Sequence, residues 1–378
     1  MVKFVKRNIT PQDGYEYFYG YYDLQPYSTD NTKHLCGRTT FSDRQPVLGD
    51  IMEIGYIDIP NAKFVKIAET NTWNWQQGAF LTWFEQDKLI IFNDYLDGKY
   101  VSRVLDLEGN EVRRYDRPIA TICPKAGVAM SINFPRVYDF RPGYGYLNTK
   151  DVYYDVNAPE EDGIFLLDLK TGESKLLINY VEMKEAFKED PFTDMKLVVN
   201  HITLTPNGTG FIFLLRNFPE EGKLWGTVLA YADLEGNMRK LTNFEVNSHY
   251  SWKDEENLMI YSGLPKWGIY FFNVKTGERT TLNNPVLDFD DIHCNYSPDR
   301  KTMIGDGYPQ PGESTRTLYY YDFETKKEEV LVTVYSRPVP ETDMRCDLHA
   351  RFSPDGSRIS YDSTENVKRE IIELELLD

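Results

Sequence analysis

The chain has 378 residues, 41% of them hydrophobic, and a formal net charge of −17. That is enough apolar side chain for one large all-β domain or for two or three average ones. The acidic balance argues against nucleic acid or an anionic membrane as partner, and no apolar run approaches bilayer-spanning length. Cys36, Cys123, Cys294 and Cys346 are scattered with no Cys-x-x-Cys pair, which argues against a disulfide scaffold.

The opening MVKFVKRNIT lacks the apolar stretch of a secretory signal, so the sequence reads as cytoplasmic. Within it, KFVKRN (3–8) is predicted as a strand with no sheet of its own. YFYGYYD (17–23) is dense in aromatic rings, and His34, after a polar turn, is expected at the surface. GYIDIPNAKFVKI (55–67) is the first of six hairpins; the others are 103–115, 163–177, 230–242, 269–282 and 318–331. Each is an apolar strand, an Asp or Asn with a short polar turn, and a second strand. Asp or Asn can bond its own backbone there, and Gly can supply positive φ. Between hairpins, NTWNWQQGAFLTW (71–83) groups three Trp with Asn74, Gln76 and Gln77, and FPRVYDFRPGYGY (134–146) offers Arg136, Arg141 and three Tyr around a Gly-Pro turn.

A second turn precedes each hairpin: STDN (28–31), EQDK (85–88), PKAG (124–127), PNG (206–208), DEEN (254–257), SPDR (297–300) and SPDG (353–356). Their spacing of roughly 40 to 55 residues, with one interval of roughly 81, is that of four-stranded propeller blades. The expected fold is therefore all-β, a single seven-bladed β-propeller over 1–378. The long interval holds a partly helical insertion near 178–200, with NYVEMKEAFKED (179–190) as a short helix expected over one face. The last unit stops one strand short, so Lys3 to Asn8 is predicted to complete it by pairing with Ile371 to Leu376. Closure of the ring removes free sheet edges.

Four of the five histidines share one register. His201, His249, His293 and His349 precede Pro206, Asp254, Pro298 and Pro354, equivalent positions of the turns that follow them, by five residues each. At the start of equivalent strands, such residues are expected at one mouth of the central channel. Neutral imidazole is the commonest metal ligand and titrates near pH 7. The reading is that His201, His293 and His349 bind a divalent metal, together with Asp347, which shares the strand face of His349. Mn, Fe, Ni and Zn suit such ligands about equally. Two other readings stay open: a repeated structural histidine that bonds the neighbouring blade, and satisfied core histidines. Trp75, Gln76, Gln77, Arg136, Arg141, Tyr144, Arg345 and Arg351 are the candidates for a sugar-binding rim. Rings cover a pyranose face, amides bond hydroxyls and Arg clamps a carboxylate.

The strings GYYD, NWQQG, RPGYGY, HYSW and RCDLH resemble a widespread group of bacterial propellers without an agreed function, over most of the chain. The four histidine-bearing units also resemble oligogalacturonate lyase, more distantly. That resemblance implies a cytoplasmic seven-bladed propeller that cleaves unsaturated pectin fragments with a histidine-bound metal. By it, His249 matches the base, His293 and His349 match metal ligands, and Arg216 matches an arginine near the substrate. The lyase clusters a Gln and two His in its last ligand segment, where this chain has Arg345-Cys346-Asp347-Leu348-His349. The ligand set is altered accordingly. The functional expectation is β-elimination on a uronate-containing oligosaccharide. The alternatives are a non-catalytic glycan- or protein-binding propeller and a hydrolase or transferase on the same scaffold.

Overall fold

Local turn chemistry sets the repeat. In the hairpins, Asp168 Oδ1 accepts from the backbone N–H of Lys170 and Thr171, both at 2.8 Å, and Asp322 does the same for Glu324 and Thr325. The preceding turns reuse a second device: Ser297 Oγ lies 2.7 Å from Asp299 and Ser353 Oγ 2.7 Å from Asp355. Each Asp side chain supplies bonds that the reversing backbone cannot make with a neighbouring strand.

A computed structural model describes residues 2–377 apart from 193, 222, 224, 244, 245, 264, 265 and 311. It contains seven four-stranded antiparallel sheets, the blades of a seven-bladed β-propeller. Six run through consecutive strands. The first three blades are Glu16–Phe18 to Lys63–Thr70, Thr82–Phe84 to Glu111–Tyr115, and Thr121–Cys123 to Ser174–Asn179. Leu197–Leu204 to Met238–Lys240, Asn247–Trp252 to Arg279–Thr281, and His293–Tyr296 to Lys327–Tyr335 are the next three. The seventh takes Arg351–Phe352, Arg358–Ser363 and Glu370–Leu377 from the end of the chain and Lys3–Asn8 from its start. The expected closure is present, with Lys3 opposite Leu377 and Asn8 opposite Ile372. The register is shifted by one residue from that expected.

Two compact units make up the chain: 1–95 with 103–114 and 290–378, and 96–102 with 115–289. In the first, Phe18, Trp73, Trp75 and Trp83 pack with Leu35, Ile54 and Phe92, while Leu318, Ile359, Tyr361 and Leu374 form another core. In the second, Ile212, Leu229, Trp252, Ile260 and Phe272 pack together. Burial of each such side chain contributes roughly 1.5–3 kcal/mol. Among the described residues no helix is long and apolar enough to cross a membrane.

The insertion is larger than expected and lies in two pieces. The predicted helix spans Tyr180–Ala186 and opens on a capping box between Asn179 and Glu182. Strand Leu197–Leu204 already belongs to the fourth sheet, so that piece ends at 196. The other piece, 132–162, separates the second and third strands of the third sheet. It carries a helix, Phe134–Phe140, where only a turn was expected; Asn133 caps it and a Pro occupies its first turn. His34 also departs from expectation. It is fully buried, with Nδ1 2.8 Å from Leu35 O and Nε2 2.9 Å from Ser360 Oγ, between the rings of Tyr19 and Tyr27.

Candidate metal centre

His293 opens the first strand of the sixth sheet, directly opposite Asp306 on the second. Its Nδ1 lies 3.3 Å from Asp306 Oδ2, and that oxygen accepts the backbone N–H of Leu348 at 3.0 Å. One buried carboxylate thus links a ring on the sixth sheet to the segment leading into the seventh. His349 ends that segment with φ +44, in the left-handed region that a non-glycine residue seldom occupies. Its Nδ1 is 2.9 Å from Gly20 O. Gly20 has φ +139, and a Cβ there would meet Gln77 O at 2.9 Å. Only glycine suits this approach between the GYYD and NWQQG segments.

Carbonyl and carboxylate oxygens only accept, so Nδ1 of both rings carries the proton, and in the neutral ring Nε2 is the atom that presents a lone pair. Both Nε2 atoms lie 3.8 Å from Asp347 Oδ2. The two rings stand edge to face with centroids 4.5 Å apart. Tyr21 packs against His349 at 4.9 Å, and Tyr22 and Tyr308 each pack against His293 at 5.5 Å.

Asp347 is fully buried between two guanidinium groups: Arg316 at 2.7 Å from Oδ1 and Arg345 Nε at 2.7 Å from Oδ2. Burial opposes its ionisation, but Arg345 and Arg316 outweigh it and hold the carboxyl well below the usual range. Burial pushes His349 the other way for a base, well below the usual imidazole value, with His293 adding to the effect. Both shifts favour a carboxylate and a neutral imidazole near neutral pH, the protonation states that metal ligands need.

His293, Asp347 and His349 offer donor atoms that all lie within 4.8 Å of one another. Bonds of about 2.0–2.2 Å to one ion place ligand atoms roughly 3–4 Å apart, so the imidazole–carboxylate separations already suit one. The outer contacts fit as well. Ligating imidazoles donate their second N–H to a carboxylate or carbonyl, as to Asp306 and Gly20 here, and ligating carboxylates are themselves bonded.

The other expected residues fall into two groups. Arg345 joins the centre, with Nη2 3.2 Å from Tyr308 Oη. Arg351 binds Gly20 O, Tyr21 O and, at 3.1 Å, Asp362, so it braces the segment that receives His349. Trp75 is buried against Phe18, Phe41 and Trp73. Gln76 donates to Asp343 O and Arg345 O at 3.0 Å each, and Gln77 is buried beside it. Gln76 thereby holds the segment that leads to Asp347, and all three side chains are buried within the fold.

In the second unit, Arg136 is fully buried and all five of its N–H donors are used, on Asp151 and the carbonyls of Leu197, Tyr153, Val156 and Asn157. It is a strut that ties down the insertion, which corrects its expected place on a sugar-binding rim. Arg141 stacks over Tyr144 at 4.4 Å, and Tyr144 packs edge-on against His201 at 5.3 Å. Arg216 binds Asn200 and donates to Asn247 O at 3.2 Å, while Arg141 and Arg216 both face Trp225, at 5.4 and 5.7 Å. His201, with φ +69, and His249 each lie where the strand pairing slips by a bulge. The shared register of the histidines thus has a counterpart in backbone irregularity.

Sequence reasoning missed Asp306, Arg316, Tyr308 and the carbonyl of Gly20. A signal for Asp306 existed: it follows His293 by thirteen residues, and Asp362 follows His349 by the same interval.

The chain is thus a seven-bladed propeller carrying a buried His-Asp-His donor group. No family model and no curated protein matches the sequence. Among solved structures, it is similar to an oligogalacturonate lyase in complex with manganese, at 16% identity over 100% of this chain and 97% of that one, with a TM-score of 0.70. An oligogalacturonate lyase from Vibrio parahaemolyticus is similar over 99% of this chain and 97% of its own, at 14% identity and a TM-score of 0.66. A prolyl endopeptidase matches 96% of this chain with half of its own length, at 10% identity and a TM-score of 0.57. At these identities the likeness establishes the fold.

Proposed function

We propose that the protein is a metal-dependent lyase that cleaves a uronate-containing oligosaccharide by β-elimination. The observation that carries this reading is the group of His293, Asp347 and His349, with both Nε2 atoms 3.8 Å from one carboxylate oxygen. The manganese held by the similar oligogalacturonate lyase favours a divalent ion, with Mn the first to test.

The C5 proton of a uronate is weakly acidic, so its removal needs charge withdrawn from the adjacent carboxylate. A divalent ion bound to this group would supply a Lewis acid for that carboxylate and for the enolate-like charge that develops on it. His293 and His349 hold two lone pairs in fixed directions, and Asp347 adds one negative charge. Arg345 and Arg316 keep Asp347 ionised and oriented. His249 removes the C5 proton and Arg216 attends the substrate carboxylate. The role of His249 rests on the resemblance to oligogalacturonate lyase and on the shared histidine register, and that of Arg216 on the resemblance alone. His201 is proposed as an additional ligand on the register alone. Arg141 and Tyr144, grouped with His201, are proposed to contact the saccharide.

Metal content and product formation should be measured on protein purified without a histidine tag. His293→Ala and His349→Ala should lose metal and activity together, whereas His249→Ala should lose activity and keep most of the metal. Metal-free protein that retains full activity would overturn the proposal. A saccharide-binding protein with no turnover at all would favour the non-catalytic alternative.

A further inference from the structure

A cavity of about 470 Å³ lies wholly within the second unit, between the strand that begins at Lys99 and the insertion at 132–162. Arg117 reaches into it from the loop between the second and third sheets. Its guanidinium lies flat on Phe165 at 3.4 Å, and Nε donates to Ser174 Oγ at 3.3 Å. The two terminal nitrogens take no protein partner among the described residues. Face-on stacking fixes the plane of the guanidinium and leaves its outer edge for a bidentate anion. Lys99 and Lys150, both exposed on the cavity wall, form no ion pair among the described residues.

The wall also bears acids, and they differ in availability. Asp162 accepts from Asn133 Nδ2 at 2.7 Å and from the backbone N–H of Gly163 at 2.8 Å, and its charge also acts on Arg117. Asp116 and Glu161 are exposed, and the half-buried Tyr100 and Tyr153 line the same cavity. An inorganic anion alone would leave these acceptors repelling it. A ligand with hydroxyl groups would donate to Asp116 and Glu161, accept from Lys99 and Lys150, and cover a tyrosine ring with its C–H face.

We infer that this cavity is a second binding site, for a sugar acid whose carboxylate is held by Arg117 and whose hydroxyls meet the mixed-charge rim. The site does not depend on the metal centre or on the proposed lyase reaction. The full chain carrying His349→Ala should therefore be titrated by calorimetry with D-glucuronate, D-glucose and inorganic phosphate. Glucuronate should bind at one site, and neither glucose nor phosphate should match it. Arg117→Gln should weaken glucuronate roughly tenfold or more, the scale of a charge-assisted hydrogen-bonded pair. The exposed Lys150→Ala variant tests the same site without touching a packed side chain and should weaken binding by a smaller factor. Glucuronate binding unchanged in both variants, or equalled by glucose or by phosphate, would overturn the inference.

Discussion

Asp306 performs two tasks with one oxygen, receiving His293 Nδ1 at 3.3 Å and the Leu348 N–H at 3.0 Å. Replacing it with Asn keeps the volume and removes the charge that favours a proton on Nδ1. Asp306→Asn should weaken metal binding by roughly 10- to 100-fold, read by competition against a chelator; unchanged affinity would deny Asp306 any part in orienting His293. His34 is a separate case, remote in chemistry from catalysis. Burial, with a smaller contribution from Arg351, lowers its imidazole to about 3, against about 6.5 in an unfolded chain. Between those values the unfolded chain binds a proton that the folded one refuses. Stability therefore falls as pH drops through this window, by up to about 1.4 kcal/mol per pH unit for this group. His34→Gln should show a shallower fall in melting temperature between about pH 6.5 and pH 5, and an unchanged slope would place the acid sensitivity elsewhere.

The strand Lys3–Asn8 pairs along its whole length with Glu370–Leu377, and Arg7 adds an ion pair to buried Glu373 at 2.5 Å. Deleting residues 1–9 exposes that edge and leaves Glu373 with a weaker set of partners. The melting temperature should fall markedly and the protein should become prone to edge-to-edge association; a truncated chain that melts like the intact one would contradict closure by this strand. Such elements were legible because their signals are local. Asp168, Asp322 and Asn273 advertise their turns within three residues, and the missing last strand left a gap that only 3–8 could fill. The helix Phe134–Phe140 was less legible. Asn133 and Pro135 do signal a helix start, but the dense aromatic and arginine side chains after it also suit a binding rim. His34 failed for a different reason. A polar turn before a strand says nothing about which face is later covered, and its partner Ser360 is 326 residues away.

At the scale of the whole molecule, the repeat made the candidate ligands visible and long-range contacts decided their chemistry. His293 and His349 could be found by counting from SPDR and SPDG. Asp347 followed from alternation along the same segment. The acceptors that set their tautomers could not be counted out in this way, since Gly20 lies 329 residues from His349. Nor could the two arginines flanking Asp347 be foreseen as a pair, because Arg316 comes from a strand of the sixth sheet and Arg345 from the segment outside any sheet that carries Asp347. The same long-range packing turned Arg136 from a candidate rim residue into a strut. The His293, Asp347 and His349 donor group is proposed to make the protein a metal-dependent uronate lyase. The most direct test incubates tag-free protein, stripped by chelator and then reloaded with Mn, with uronate oligosaccharides, and follows the ultraviolet absorbance of the unsaturated product. Product should form with the reloaded protein and not with the stripped protein. Failure of the metal-loaded protein to form unsaturated product from any uronate oligosaccharide would contradict the account.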